Sequence, residues 1–241
     1  MFLKTYTLTM KELRQMFLSP IAYVFLAVFV VFVTFIFFRT FFLIGQASMS
    51  EFFFWFPLAF AIFVPGIVMR VWAEERRQGT MEFLLTSPVE IWQIVLSKFI
   101  AGVVLVSLCA ALTIWVPITV ARYGALDPGP VWGGYLGSVF MGATCVAIGM
   151  FISAFTSDQI VSFLLSVIVL LTLVLIGHPF IQSGLEPGST FGYVARHISP
   201  TTHFDSIGRG VIDVRDLYYY GAMIALFLYL NTRVIELRRW R

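Results

Sequence analysis

The sequence predicts an all-α integral membrane protein: an N-terminal interfacial helix plus six transmembrane helices in one bundle, with both termini cytoplasmic. Three observations carry this. Of 241 residues, 59% are hydrophobic and only 12% are charged, about half the charge of a soluble globular domain. Such a composition cannot build a water-facing surface, and it excludes disorder. Six stretches reach the roughly 20 apolar residues needed to cross a hydrocarbon core about 30 Å thick; they are residues 20–38, 52–71, 99–121, 131–155, 160–177 and 217–234. With the N-terminus inside, eleven Lys and Arg fall on the inner side and five on the outer. This follows the positive-inside bias and accounts for the net charge of +3 without a nucleic-acid partner.

Each element follows in order. Residues 2–17, in an interfacial segment 1–19, place Phe2, Tyr6, Leu13, Met16 and Phe17 on one helical face and Lys4, Lys11 and Gln15 on the other. That pattern predicts a helix lying flat on the inner leaflet, in contact with membrane lipids. Ser19-Pro20 opens the first span as N-cap and first helical residue. The first apolar run is too long for a cleavable signal peptide. Pro65 in the second span and Pro117 near the end of the third predict kinks. Cys109 and Cys145 lie inside spans at a separation that matches no metal or redox motif, so they read as packing residues. In the fourth span Gly133 and Gly137 form a G-x-x-x-G pair that Ser138 and Gly142 continue. Small residues let helices approach closely in lipid, either as static packing within one subunit or as a sliding contact. Thr156 and Gln159 read as a capping box for the fifth span.

The inner segment 72–98, together with Arg70, is the most informative. Residues 70–98 hold Arg70, Glu74, Glu75, Arg76, Arg77, Glu82, Glu90 and Lys98, more than a quarter of all the charge in the chain. Gly79 interrupts a helical pattern, and Met81, Leu84 and Leu85 then form a short amphipathic run. Ser87-Pro88-Val89-Glu90 reads as a capping box with Ser87 at the N-cap. A stiff, shaped element of this kind suits docking of a soluble partner as well as it suits a solvated loop. The outer segment 178–216, with its prolines, glycines and aromatics, is too polar to span and too long for a plain turn. Asp213 and Asp216 favour the start of the last helix.

Ala73-Glu74-Glu75-Arg76-Arg77, Gly79-Thr80, Glu82, Leu84-Leu85, Ser87-Pro88 and Lys98 resemble the permease subunit of type 2 ABC transporters. Within that family they resemble the small permeases of gliding motility and nitrous-oxide maturation. Ser199-Pro200, His203-Phe204, Arg209-Gly210, Asp213 and Asp216-Leu217 match further along, and the resemblance covers essentially the whole chain. It implies a homodimer, or a pair with a paralogue, in the bacterial cytoplasmic (inner) membrane, with two ABC ATPase subunits docked beneath and possibly an extracytoplasmic accessory subunit. It implies short re-entrant or surface helices before the last span. It implies a coupling helix in which Glu74, Glu75, Arg76, Arg77, Gly79, Thr80 and Glu82 meet the ATPase. ATP and Mg would be bound by that partner, since this chain has no G-x-x-x-x-G-K-[ST] loop and calls for no cofactor of its own.

Other classes fit less well. The three histidines, His178, His197 and His203, show no i, i+4 pairing, and no Asp or Glu sits in the middle of a span, which argues against an intramembrane enzyme and against proton or ion coupling. A non-transporting scaffold would share the six spans but would not require the charged inner segment.

Overall fold

The structure, a computed structural model, describes residues 2–44, 48–81, 89–183, 190–211 and 213–239. They form thirteen helices and, among the described residues, no strands. In chain order these are α1 (Phe2–Leu18), α2 (Pro20–Ile44), α3 (Ser50–Phe54), α4 (Phe56–Val68), α5 (Arg70–Arg77), α6 (Ile91–Ala111), α7 (Trp115–Ala121), α8 (Pro128–Ser153), α9 (Gln159–Gly177), α10 (Pro179–Gln182), α11 (Thr190–Ile198), α12 (Pro200–Gly208) and α13 (Val214–Arg239). Among the described residues, five helical runs are long and apolar enough to cross a membrane: Pro20–Leu43, Phe56–Arg77, Ile91–Ala121, Pro128–Ser153 and Gln159–Gly177. The chain is a multi-pass, all-helical membrane bundle. The last expected span, in α13, is not among the five, because Tyr218, Tyr219, Tyr220, Asn231, Thr232 and Arg233 flank a shorter apolar centre.

The helices start and stop for local reasons, and several boundaries differ from expectation. The expected second span is divided at Trp55 and Met69. Pro57 cannot donate to the Phe53 carbonyl, which separates α3 from α4. Pro117 likewise leaves the Thr113 carbonyl without an i+4 donor, and the third span breaks at residues 112–114, as its kink required. Downstream of Pro65 the run continues past residue 71, so Trp72 to Arg77 are helix up to the Gly79 break, as the helical pattern there required. The chain leaves α5 through Gly79 at φ +68°. There the Gly79 amide donates to the Arg76 carbonyl and the Thr80 amide to Glu75, the paired bonds of a Schellman stop in which only glycine is comfortable.

Two expected caps are reassigned. The helix entering the third span starts at Ile91 with Glu90 itself at the N-cap, its amide donating to Gln93 Oε1 at 3.4 Å. Ser87, Pro88, Leu84 and Leu85 lie outside the described residues. At α9 the N-cap is Asp158, whose carboxylate accepts the Ile160 amide at 2.7 Å. Thr156 instead receives the Asp158 amide. A carboxylate in this place also meets the positive end of the helix dipole, which a threonine hydroxyl does not.

Burial follows the helical period even where the sequence is apolar all round. On α2, Ala22, Phe25, Leu26, Phe29, Val33 and Phe37 are buried, while Tyr23, Val24, Val28, Val31 and Phe35 face outward. The buried stripe meets α4 through phenylalanines, with Phe29 stacked on Phe60 at 5.4 Å and Phe25 edge-on to Phe63 at 5.7 Å. Such pairs each add about 0.5–1.5 kcal/mol beyond area burial.

The axis of the bundle is α8, which packs on α4, α6, α9, α12 and α13. Its glycines make this possible. A Cβ on Gly133 would run into the Ile207 carbonyl, and one on Gly134 into the Phe53 ring. At Gly137 it would lie 3.3 Å from Phe204, and at Gly142 2.5 Å from Val106. Ser138 is fully buried and returns its hydroxyl to the Gly134 carbonyl at 2.7 Å. These small residues are spent on contacts within the one chain. Cys109 and Cys145 are buried and unpaired with each other.

At the end of the bundle opposite α1, the outer segment forms α10, α11 and α12. Ser199 donates to the Leu173 carbonyl at 2.7 Å and Thr201 to Val174 at 3.0 Å, taking carbonyls near the end of α9. Tyr220 donates to the Pro200 carbonyl at 2.7 Å. Asp213 accepts the Arg215 amide at 2.9 Å as expected of a helix start. Asp216 is buried and pairs with His203 Nδ1 at 2.7 Å.

Candidate functional site: a buried ion triad where four segments meet

At the α1 end of the bundle, Lys98 of α6 is 2% exposed. An isolated ammonium there would be expensive to desolvate. Its Nζ donates to Glu75 Oε1 at 2.7 Å and to Glu12 Oε2 at 3.1 Å, and it lies 5.2 Å from the centre of the Trp72 ring. One cation therefore fastens α1, α5 and α6 together. The fully buried Trp72 supplies an electron-rich face as a third neighbour.

Glu12 reaches the site because α1 does not lie freely on a surface. Thr9 and Glu12 are buried against the bundle, and Met16 and Phe17 pack on its core, while Tyr6 and Met10 are exposed. The expected apolar face is thus displaced around the helix. A face is chosen by its best contact, and the Lys98 ion pair decides it here. Nothing in the local pattern singles out Glu12, because its partner is 86 residues away.

The rest of α5 is tied to the turn between α8 and α9. Arg76 Nη1 donates to the Ala154 carbonyl at 3.2 Å, at the C-terminus of α8, where a cation also suits the dipole. Glu74 accepts from Gln159 at the start of α9 and from Gln78 at 2.6 Å, and it pairs with Arg77 at 3.4 Å.

The joint above α5 has a specific cause. Ser153 is fully buried at the end of α8. Its hydroxyl donates to the Met69 carbonyl at 3.1 Å and accepts the amides of Trp72 at 3.3 Å and Ala73 at 3.4 Å. Met69 and Ala73 are spaced i, i+4, so the hydroxyl sits where their helical hydrogen bond would run. Insertion of a side chain into the ladder is a recognised origin of a helix break.

The expected coupling residues therefore separate into two sets. Glu74, Glu75 and Arg76 are turned inward and bind α5 to α1, α6, α8 and α9. Arg77, Gly79 and Thr80 are exposed at the tip of α5. Glu82 lies outside the described residues. The positions that sequence reasoning missed are Glu12, Ser153 and Gln159, each joined to this segment across 81 or more residues. Lys98 was legible as a charge but not as the centre of the cluster.

Beside the triad lies a cleft of about 640 Å³ between α1, α2, α5 and α6. A second, largely apolar groove of about 520 Å³ runs between the α6–α7 break and α8.

No curated protein matches the sequence. A family model described as ABC-2 family transporter protein matches residues 44–231. That range holds the charged α5 segment, the α8 glycines and most of the last helix, and the chain belongs to this family of ABC transporter membrane subunits.

Proposed function

We propose that this permease couples ATP hydrolysis on a separate ABC ATPase to export, or to force transmission, across the bacterial cytoplasmic membrane. The observation that carries the reading is the anchoring of α5: its tip is exposed, and its base is tied to α6, α8 and α9 through Glu74, Glu75, Arg76 and Ser153, and by way of Lys98 to Glu12 of α1. A push on Arg77, Gly79 or Thr80 would move α1, α6 and the α8–α9 turn with α5. A ligand shifts an equilibrium only through differential affinity for its states, and the ATPase supplies that difference when ATP and Mg close it. The chain acts in a pair, as a homodimer or with a paralogue, above two ATPase copies, with an extracytoplasmic accessory subunit where force rather than cargo is passed on. α13 is the sixth crossing. Its 26 residues span about 39 Å at about 1.5 Å per residue, long enough to cross, and an even number of crossings with the positive-inside bias supports both termini in the cytoplasm. The motifs quoted above support a permease of the gliding-motility and nitrous-oxide-maturation kind.

The test is reconstitution with the ATPase that copurifies with the chain. Arg77→Glu and Thr80→Arg should reduce ATPase capture by tenfold or more. Lys98→Met should leave capture in place while uncoupling ATP turnover from the transported output. Unchanged capture and turnover in both tip variants would sink the coupling assignment.

A further inference from the structure

The cleft beside the triad has a polarity gradient along the helix axes. One end carries Lys11, Ser19 and Arg70, and the other is lined by Ala22, Phe25 and Leu105. From Lys98 to Leu105 on α6 is seven residues, about 10 Å along the axis. The apolar end thus lies about one-third of a hydrocarbon core deeper than the charged end. The volume is within the roughly 300–1,000 Å³ of small-molecule sites.

The cations at the shallow end are not all paired. Glu12 and Glu75 share Lys98, a set with a formal charge of −1, and Glu74 is paired with Arg77. Lys11 and Arg70 line the same cleft and take part in no ion pair among the described residues. Arg70 gives one N–H to Ser19 Oγ at 3.1 Å, and its Nε is buried without a hydrogen-bond partner among the described residues. A guanidinium so placed suits a phosphate, which accepts two parallel N–H bonds. A phosphodiester supplies an anionic partner for these two cations.

We propose that the cleft is a binding site for one glycerophospholipid from the leaflet on the α1 side. Its phosphodiester lies on Arg70 and Lys11, and an acyl chain lies against Ala22, Phe25 and Leu105. Bound there, the lipid fills the space between α1 and α5 next to the triad.

Native mass spectrometry of the full-length protein, delipidated and then titrated with palmitoyl-oleoyl-phosphatidylglycerol, tests this. One retained lipid per chain is expected. Arg70→Gln with Lys11→Gln should weaken retention tenfold or more, and the exposed, distant Arg122→Gln should not. Gly66→Leu fills the apolar half without touching a charge, since a Cβ there meets only the Phe25 ring, at 3.6 Å; it too should weaken retention several-fold, and it decides the matter if the double variant fails to fold. Retention unchanged in either the double variant or Gly66→Leu overturns the proposal. So does equal binding of glycerol 3-phosphate, which would make the cleft a free-anion site, or of dioleoylglycerol, which would make it an apolar groove alone.

Discussion

Replacing Lys98 by methionine is the most direct perturbation of the α1 end. The side chains are similar in length, so the change is chiefly one of charge. The triad passes from a formal −1 to −2, with Glu12 and Glu75 left facing each other at positions where their side chains are only 10% and 20% exposed. Removing one partner of a buried ion pair costs about 3–5 kcal/mol, because the remaining charge keeps its desolvation penalty. Glu12→Gln should cost less. It leaves a neutral Glu75–Lys98 pair and forfeits one charged hydrogen bond, worth about 1.5–3 kcal/mol, against which the relief of carboxylate repulsion counts. The triple variant Glu12→Gln, Glu75→Gln, Lys98→Met buries no charge and should recover most of the loss. In a thermal melt of the detergent-solubilised protein, about 2–4 °C per kcal/mol for a chain of this length puts Lys98→Met on the order of 10 °C below wild type. A Lys98→Met protein melting within about 2 °C of wild type, or a triple variant melting as low as Lys98→Met, refutes the account of the triad as an ion cluster whose cost is desolvation.

Three further outcomes are expected. Ser153→Ala frees Ala73 to bond Met69 directly, so the α4–α5 joint should straighten; pulsed electron resonance between labels at Gln78 and Phe155 should read a changed distance, and an identical distance distribution would remove the role given to the hydroxyl. Gly133→Ala drives a methyl into the Ile207 carbonyl, a backbone atom that cannot swing aside, and should cost about 1–3 kcal/mol, whereas Gly221→Ala, with nothing within 4 Å, should be neutral or stabilising by about 0.4–1 kcal/mol; equal melting temperatures would contradict this packing. Asp205 is pushed above the usual carboxylate range by burial, against the pull of Arg209 and His178. With its folded value raised, its contribution to stability is full below the unfolded carboxylate pKa of about 4 and is lost as pH rises through the folded value. Asp205→Asn should therefore raise the melting temperature at neutral pH and leave it unchanged in acid, and a pH-independent difference would refute the assignment.

The sequence disclosed the bundle through composition and run length, because a membrane imposes those on any chain that crosses it. It also disclosed what acts locally: the break near Pro117, the stop at Gly79, and the use of small residues along α8. It misplaced two caps, since Ser87, Thr156, Asp158 and Glu90 are all acceptable cap chemistry and only the path of the chain chooses among them. It gave Trp72 to Arg77 as helix up to Gly79, but not what that helix packs on. Of the charges on it, Glu75 is neutralised by Lys98 of another helix, while Glu74 pairs with Arg77 on the same one. The pairings of Lys98 with Glu12, of Glu74 with Gln159 and of Ser153 with Met69 leave no periodic trace, because neither partner carries information about the other until the helices are assembled.

The wide separation of the triad's members also bears on how the protein is made. Glu12 leaves the ribosome 86 residues ahead of Lys98, about 4–17 s earlier at about 5–20 residues per second. During that interval two acidic side chains wait at the membrane surface for a single cation that arrives only with the third span. The cluster closes only if the N-terminal helix, the end of the second span and the start of the third have all come to the same side. An inverted hairpin would carry Lys98 and Glu75, which share one inner segment, to the far side of the bilayer from Glu12. The same three residues that hold the finished helices together thus discriminate, during insertion, between the correct threading of the chain and its mirror.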